Sequence, residues 1–207
     1  VRIIRNGGLV AFPTETVYGL GGDAENPEAS EKIYAAKGRP SDNPLIVHIW
    51  DFSQLEEIVS SVPENARKLA DAFWPGPLTM ILPKNDRIPL TTTGGLNTVA
   101  IRMPSHPVAR RFLELSNIKI AAPSANTSGR PSPTTAQHVA EDLDGEIDCI
   151  IDGGVVDIGL ESTIVDLSEG LPTILRPGYI NKERLETVVG HGEIDPGILD
   201  INAEKKV

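Results

Sequence analysis

Short β-like runs alternate along this chain with helical ones, which predicts an α/β or α+β domain built around an open sheet. Three observations carry that expectation. Candidate strands of four or five residues recur through most of the 207 residues. Segments with helical spacing and readable ends lie between them. The 19 glycines and 17 prolines concentrate at the junctions, where turns need them. A hydrophobic share of 40% is enough for a single core, because a globule of this length removes about 70% of its unfolded surface from water.

Taken in order, residues 9–12 read as the first strand. The stretch FPTETVYGLGGDA (12–24) then offers hydroxyls, a carboxylate and a run of glycines, and is expected to be either a polar turn or a loop whose backbone approaches a ligand closely. Asn26 caps a helix that begins with Pro27, and Gly38 followed by Pro40 closes it. Residues 45–49 form the next strand. Pro63 opens a helix in which Ala66, Leu69, Ala70 and Phe73 recur at helical spacing, and Pro75 stops it. Strands are expected at 79–82 and 99–102. Val108, Phe112 and Leu115 mark a third helix. A strand at 119–122 and a helix carrying Ala136, Val139, Ala140 and Leu143 come next, and three strands at 149–152, 163–166 and 173–176 follow. Pro177 and Gly178 break the chain. The core is expected to end near Tyr179, with a short helix over 182–189 and a linker over 190–207, giving a catalytic unit over 1–180 and a tail over 181–207.

Composition narrows the function. Cys149 is the single cysteine, which excludes an intrachain disulfide and a Cys-rich zinc site and suits a reducing compartment. No apolar run approaches the roughly 18 residues that span a bilayer, and no basic-then-apolar leader heads the sequence, so a cytoplasmic enzyme without membrane contact is expected. A net charge of −10 disfavours a protein that coats nucleic acid, since that binding depends on neutralising phosphates. The charge is segregated. Residues 102–130 sum to +4, whereas residues 131–175 hold ten acids and no Lys or Arg. Such a chain can carry a small anion site on an acidic body.

Several phosphate-binding and hydrolytic signatures are missing. No Lys precedes Ser or Thr, which excludes a Walker-type loop, and neither HExxH nor GxSxG occurs. Gly19, Gly21 and Ala24 match GxGxxA, but the following helix caps at Asn26, beyond that motif. Four stretches remain. Besides 12–24, KGRPSDNPLIVHI places Lys37 and Arg39 at a helix end, with Asn43 and His48 beyond. TVAIRMP and IAAPSANTSGRPSPT set Arg102, Ser124 and Asn126 after strands. GLESTIVDL and TILRPG add Glu161, Ser162 and Arg176. Arg102, Ser124, His48 and Arg176 all fall at expected strand ends, and open α/β sheets bind ligands outside the carboxyl ends of their strands. A nucleoside triphosphate carries about −4 near neutral pH, which Lys37, Arg39, Arg102 and Arg176 could balance.

Together, FPTETVYGLG, the KxR of KGRPSDNPLIVHI, FWPGPLT, TVAIRMP, IAAPSAN, ESTIVD and LRPG resemble the YrdC-type L-threonylcarbamoyladenylate synthases, in order, from about residue 7 to residue 180. The resemblance implies a single α/β domain with a twisted, mixed open sheet flanked by helices around a deep, partly basic cavity. It implies formation of L-threonylcarbamoyladenylate and pyrophosphate from L-threonine, bicarbonate or CO₂, and ATP. A partner transferase would then carry the threonylcarbamoyl group to tRNA.

Carried over by position, the threonine pocket would use Thr16, His48, Arg102, the backbone of Ala122, and Ser162. ATP would meet Lys37, Arg39, Asn43, Thr98, Ser124, Asn126, Ser132 and Arg176, with Lys37 and Arg39 as catalytic phosphate electrodes and Mg²⁺ riding on the phosphates. Longer relatives carry a second domain after a linker, and this chain resembles them up to Val189. A different class of reading, an RNA-binding module that uses the basic concavity without ATP chemistry, remains the alternative. Cys149 and Trp74 are expected in the core, and His106, His138 and His191 on the surface.

Overall fold

A computed structural model describes residues 1–199; part of the expected 190–207 linker therefore lies outside the described residues. The chain opens with α1 (Arg2–Arg5) and continues through β1 (Val10–Pro13), β2 (Tyr18–Asp23), α2 (Pro27–Lys37), β3 (Ile46–His48), α3 (Ser53–Ile58) and α4 (Glu64–Phe73). There follow β4 (Leu78–Pro83), β5 (Thr98–Arg102), α5 (Pro107–Ser116), β6 (Ile120–Ala121), α6 (Ala136–Leu143) and β7 (Cys149–Ile150). The last elements are β8 (Thr163–Asp166), β9 (Thr173–Arg176), α7 (Lys182–Val189), β10 (Glu193–Ile194) and α8 (Pro196–Leu199). No helix among the described residues is long and apolar enough to cross a membrane.

The helix ends follow local chemistry. Asn26 accepts the Glu28 N–H to start α2, and Gly38, at φ 59°, ends it in the left-handed conformation that costs glycine least. His106 caps α5 by accepting the Val108 N–H at 3.1 Å, so it is half-buried rather than the free surface histidine the sequence suggests. Ala109, Phe112 and Leu113 form the buried side of α5. Leu115, expected to join them, is 47% exposed, because it falls on the opposite side of the turn.

All ten strands lie in one mixed sheet, in the order β10-β9-β8-β4-β5-β3-β6-β2-β1-β7. β3 pairs parallel with β5, β4 pairs antiparallel with β5 and parallel with β8, and β6 runs antiparallel to both β3 and β2. The largest departure from the sequence reading is β2. Its glycines do not form a loop. They lie in a six-residue strand with one of the most buried patterns in the chain. A Cβ at Gly21 would stand 2.8 Å from Ile120 Cγ2 and 2.9 Å from Phe12 Cε1, so the glycine is there for close packing between β2 and the face-covering side chains. The GxGxxA match has no helix opening on it, since Asn26 caps α2 beyond it.

Alternation along paired strands assigns side chains to two faces. Val47, Ile101, Met80, Leu82, Val165 and Ile174 point to one face and enter the larger core cluster, which also takes in Leu69 of α4, Ile33 of α2 and Leu185 of α7. Ile180 and Leu185 are 1% and 4% exposed, so the core runs past Tyr179. On the other face, at the β1–β2–β6 end, Val10, Phe12, Ile120 and Ala122 pack against Ala109, Phe112 and Leu113 of α5; Cys149 lies against this second cluster, partly buried. Trp74 packs on the first cluster and donates its indole N–H to the Leu78 carbonyl at 2.7 Å. Among the described residues, no helix packs on the centre of this second face.

Candidate active site

That uncovered centre is the candidate site. Ile46 and His48 of β3 stand opposite Ala100 and Arg102 of β5, and Ile81 of β4 stands opposite Ala100 on the far side. All five project from the same face and, with Ile164 of β8, line a cavity of about 230 Å³. The cavity therefore sits over a sheet face, not at the carboxyl ends of strands as the sequence reading places it. Loops supply the walls: Thr14, Thr16 and Val17 between β1 and β2, Arg39, Asn43 and Pro44 after α2, Pro123 and Ser124 after β6, and Glu161 and Ser162 before β8.

Arg176 reaches this face through an irregularity. Val165 pairs with Ile174, yet Ile164 pairs with Arg176, so the ladder steps over Leu175. Regular alternation would turn Arg176 to the core face with Ile174. The extra residue turns it to the cavity, which is what β-bulges commonly do to a side chain. There Arg176 donates through Nε and Nη2 to the Ser162 carbonyl at 3.1 and 2.9 Å and through Nη2 to Ser162 Oγ at 3.1 Å, and it pairs with Glu161. Glu161 also accepts from Ser132 Oγ at 2.8 Å, and Ser162 Oγ lies 2.8 Å from Thr79 Oγ1.

At the other pole, Arg102 is 4% exposed. It pairs with Glu15, donates through Nη1 to Thr16 Oγ1 at 2.8 Å, and reaches the Gly76 carbonyl through Nε at 3.4 Å. Burial, and then the charge of Arg176, push its pKa down to about 9, still above neutral pH. His48 lies directly opposite it, and burial pushes this imidazole down to about 4. Its Nδ1 lies 3.0 Å from the Ile46 carbonyl. The Ile120 carbonyl also bears on the ring, which is neutral at pH 7.

Arg39 lines the cavity while donating to Asn43 Oδ1 at 2.7 Å and to the Pro44 carbonyl at 3.0 Å. Lys37 does not line it. The residue is 1% exposed, and its ammonium donates to the carbonyls of Ser124, at 2.5 Å, and Asn126; burial and the charge of Arg39 push its pKa down to about 8.

The structure thus brings most of the sequence-derived residues to one place. Thr16, His48, Arg102, Ala122, Ser162, Arg39, Asn43, Ser124 and Arg176 line the cavity. Lys37 and Asn126 stand behind Ser124, and Ser132 abuts Glu161. Thr98 shares the face of Ala100 but lies opposite Pro83, beyond the lining. The four-cation balance is revised as well: Lys37 faces carbonyls, and two of the three lining arginines already meet carboxylates. Sequence reasoning notes the carboxylate of the 12–24 stretch, which is Glu15, and names Glu161, without giving either a partner. It does not find the apolar floor of Ile46, Ile81, Ala100 and Ile164, whose only signal is the period-two alternation. His138 and His191 are exposed. Among the described residues there is no cluster of three or more His, Cys, Asp or Glu side chains that could hold a metal ion.

Comparison with known proteins follows the same residues. The sequence profile of the Sua5/YciO/YrdC family, described as telomere recombination, matches residues 2–178. The threonylcarbamoyl-AMP synthase of Pyrococcus abyssi (strain GE5 / Orsay) is 57% identical over 195 residues, covering 94% of this chain and 57% of that protein. The threonylcarbamoyl-AMP synthase of Bacillus subtilis (strain 168) is 56% identical over 201 residues, covering 97% of this chain and 58% of that protein. The crystal structure of P. abyssi Sua5 complexed with L-threonine superposes with a TM-score of 0.94 at 56% identity, over 96% of this chain and 58% of that one. The chain therefore spans a little over half the length of these relatives.

Proposed function

Because the chain belongs to the Sua5/YciO/YrdC family, we propose that it makes L-threonylcarbamoyladenylate and pyrophosphate from L-threonine, bicarbonate or CO₂, and ATP. The observation that carries this reading is a single cavity with two arginine poles, Arg102 beside Thr16 and His48, and Arg176 with Arg39 beside Asn43 and Ser124. Two anionic substrates that must react with each other need this arrangement: separate cationic holds a short distance apart. The names of relatives more than half identical to the chain support it. The active unit in this reading is residues 1–180, with the short helix α7 packed after it.

In the proposed reaction the Arg102 fork takes the threonine carboxylate, since its planar donors match two oxygens. Thr16, the neutral His48 ring, the Ala122 backbone and Ser162 surround the rest of the amino acid. The unprotonated amine captures CO₂ as a carbamate, giving up one N–H proton to solvent, and a carbamate oxygen attacks the α-phosphorus while pyrophosphate leaves. Arg39 and Arg176 stabilise the charge on the phosphates, with Asn43, Ser124 and Ser132 orienting the nucleotide. Lys37 and Asn126 hold the 124–126 loop in place, and Thr98 belongs to the outer edge of the nucleotide site. Mg²⁺ would arrive with ATP, on phosphate oxygens. The product would pass to a transferase acting on tRNA, which sets the reaction in the cytoplasm. RNA binding without ATP chemistry has less support, because a chain of net charge −10 disfavours the extended phosphate contacts on which such binding depends.

The test is pyrophosphate release from the protein with ATP, threonine and bicarbonate, omitting each in turn. The expected result is release only with all three. Release that ignores threonine, or none at all while RNA binds with steep salt dependence, overturns the proposal.

A further inference from the structure

We propose that Glu15 is a positioning residue for amino acid recognition, holding the Arg102 guanidinium in the plane and direction in which it can meet a substrate carboxylate. Glu15 sits in the turn between β1 and β2, behind Arg102 and outside the cavity lining. One carboxylate oxygen pairs with Arg102. The other accepts three donors, the Ser105 N–H at 2.5 Å, Ser105 Oγ at 2.9 Å and the His106 N–H at 3.0 Å. Those two backbone donors immediately precede Pro107, the first residue of α5, where the positive end of a ten-residue helix favours a negative charge. The carboxylate is thus fixed to the scaffold before it touches the arginine.

Arg102 is held from its other sides as well. Thr14 Oγ1 donates to the Val17 carbonyl at 2.6 Å, so the 2.9 Å contact between Thr14 and Thr16 hydroxyls must run from Thr16 to Thr14. Thr16 Oγ1 is left as the acceptor for Arg102 Nη1 at 2.8 Å. Glu15 adds the counter-charge that a buried guanidinium needs. Without it, the carboxylate still bearing on Arg102 is Glu161, which lines the cavity itself. The arginine would then be drawn toward the space that the substrate has to enter.

This inference rests on the assignment of Arg102 to the threonine carboxylate, and the experiment separates the two. L-threonine is titrated calorimetrically into the whole chain and into Glu15→Gln, Glu15→Asp and Arg102→Ala, and pyrophosphate kinetics are measured beside it. Glu15→Gln should weaken threonine binding about tenfold or more, raise the threonine KM in step, and leave the ATP KM within about twofold. Glu15→Asp, which keeps the charge, should recover part of the loss.

Threonine affinity that is unchanged or tighter in Glu15→Gln overturns the proposal, as does an equal rise in both KM values, which is the mark of a merely structural role. Normal threonine binding by Arg102→Ala instead removes the Arg102 assignment. Should Glu15→Gln fail to fold, Ser105→Ala takes one donor from Glu15 and keeps the two backbone ones. It should weaken threonine binding about two- to fivefold, and unchanged affinity there counts equally against the proposal.

Discussion

Lys37 Nζ donates to the carbonyl of Ser124 at 2.5 Å, across 87 residues of sequence. The contact ties the end of α2 to the loop that follows β6, so the two basic residues of the KGR segment play different parts although the sequence presents them as a pair. Lys37→Ala should lower the melting temperature, at about 1–3 kcal/mol for each carbonyl left without its donor. Arg39→Ala should melt within about 0.5 kcal/mol of the parent, because its side chain borders the cavity, yet lose about 100-fold or more in pyrophosphate release. Equal melting shifts in the two variants would contradict this division.

Ala100 lies on the cavity floor between Ile46 and Ile81. A larger side chain there projects into the void and not into the core. Ala100→Leu should therefore keep or raise the melting temperature while abolishing threonine and ATP binding, read by calorimetry. Undiminished binding of both would mean that the substrates sit elsewhere.

Gly21 answers to packing. A methyl group at this position would meet Ile120, Phe12 and the Val10 carbonyl, the last at 3.1 Å. Gly21→Ala should cost about 1–3 kcal/mol as an overpacked core site does. The urea midpoint should fall with its slope unchanged, and an unshifted midpoint would show that the strand can yield.

His48 makes stability depend on pH. Its folded pKa of about 4 lies below the ordinary 6.5, so between those values the unfolded chain binds the proton that the folded chain refuses. The contribution is complete above pH 6.5 and is lost as pH falls toward 4, amounting to about 3 kcal/mol over the window. Urea unfolding at pH 7 and pH 4.5 should show His48→Asn losing about 2–3 kcal/mol less than the parent across that interval; parallel losses would argue against the buried neutral imidazole.

Much of the architecture is legible before folding. The strands at 163–166 and 173–176 are read to the residue, and the caps at Asn26 and Gly38 fall where composition puts them, because a strand's alternation and a helix's ends are short-range patterns written in neighbouring residues. The residues that line the cavity are likewise mostly named by their motifs. β2 is misread for a definite reason: three glycines in six residues have low strand propensity, and what recovers them is the close approach of Ile120 and Phe12, which belong to other strands.

What the amino-acid order determined by itself is an α/β chain with known helix limits and a set of arginines, hydroxyls and amides spaced along it. Which of those side chains face one another came only with the tertiary structure. The step over Leu175 turns Arg176 toward the cavity, against the parity of its strand, and Glu15 finds Arg102 through the start of α5. The physical reason is range. Periodicity and capping energies act within a few residues, whereas register, ion-pair partners and the unfilled face of a sheet depend on contacts between segments far apart in the chain, which no local pattern encodes.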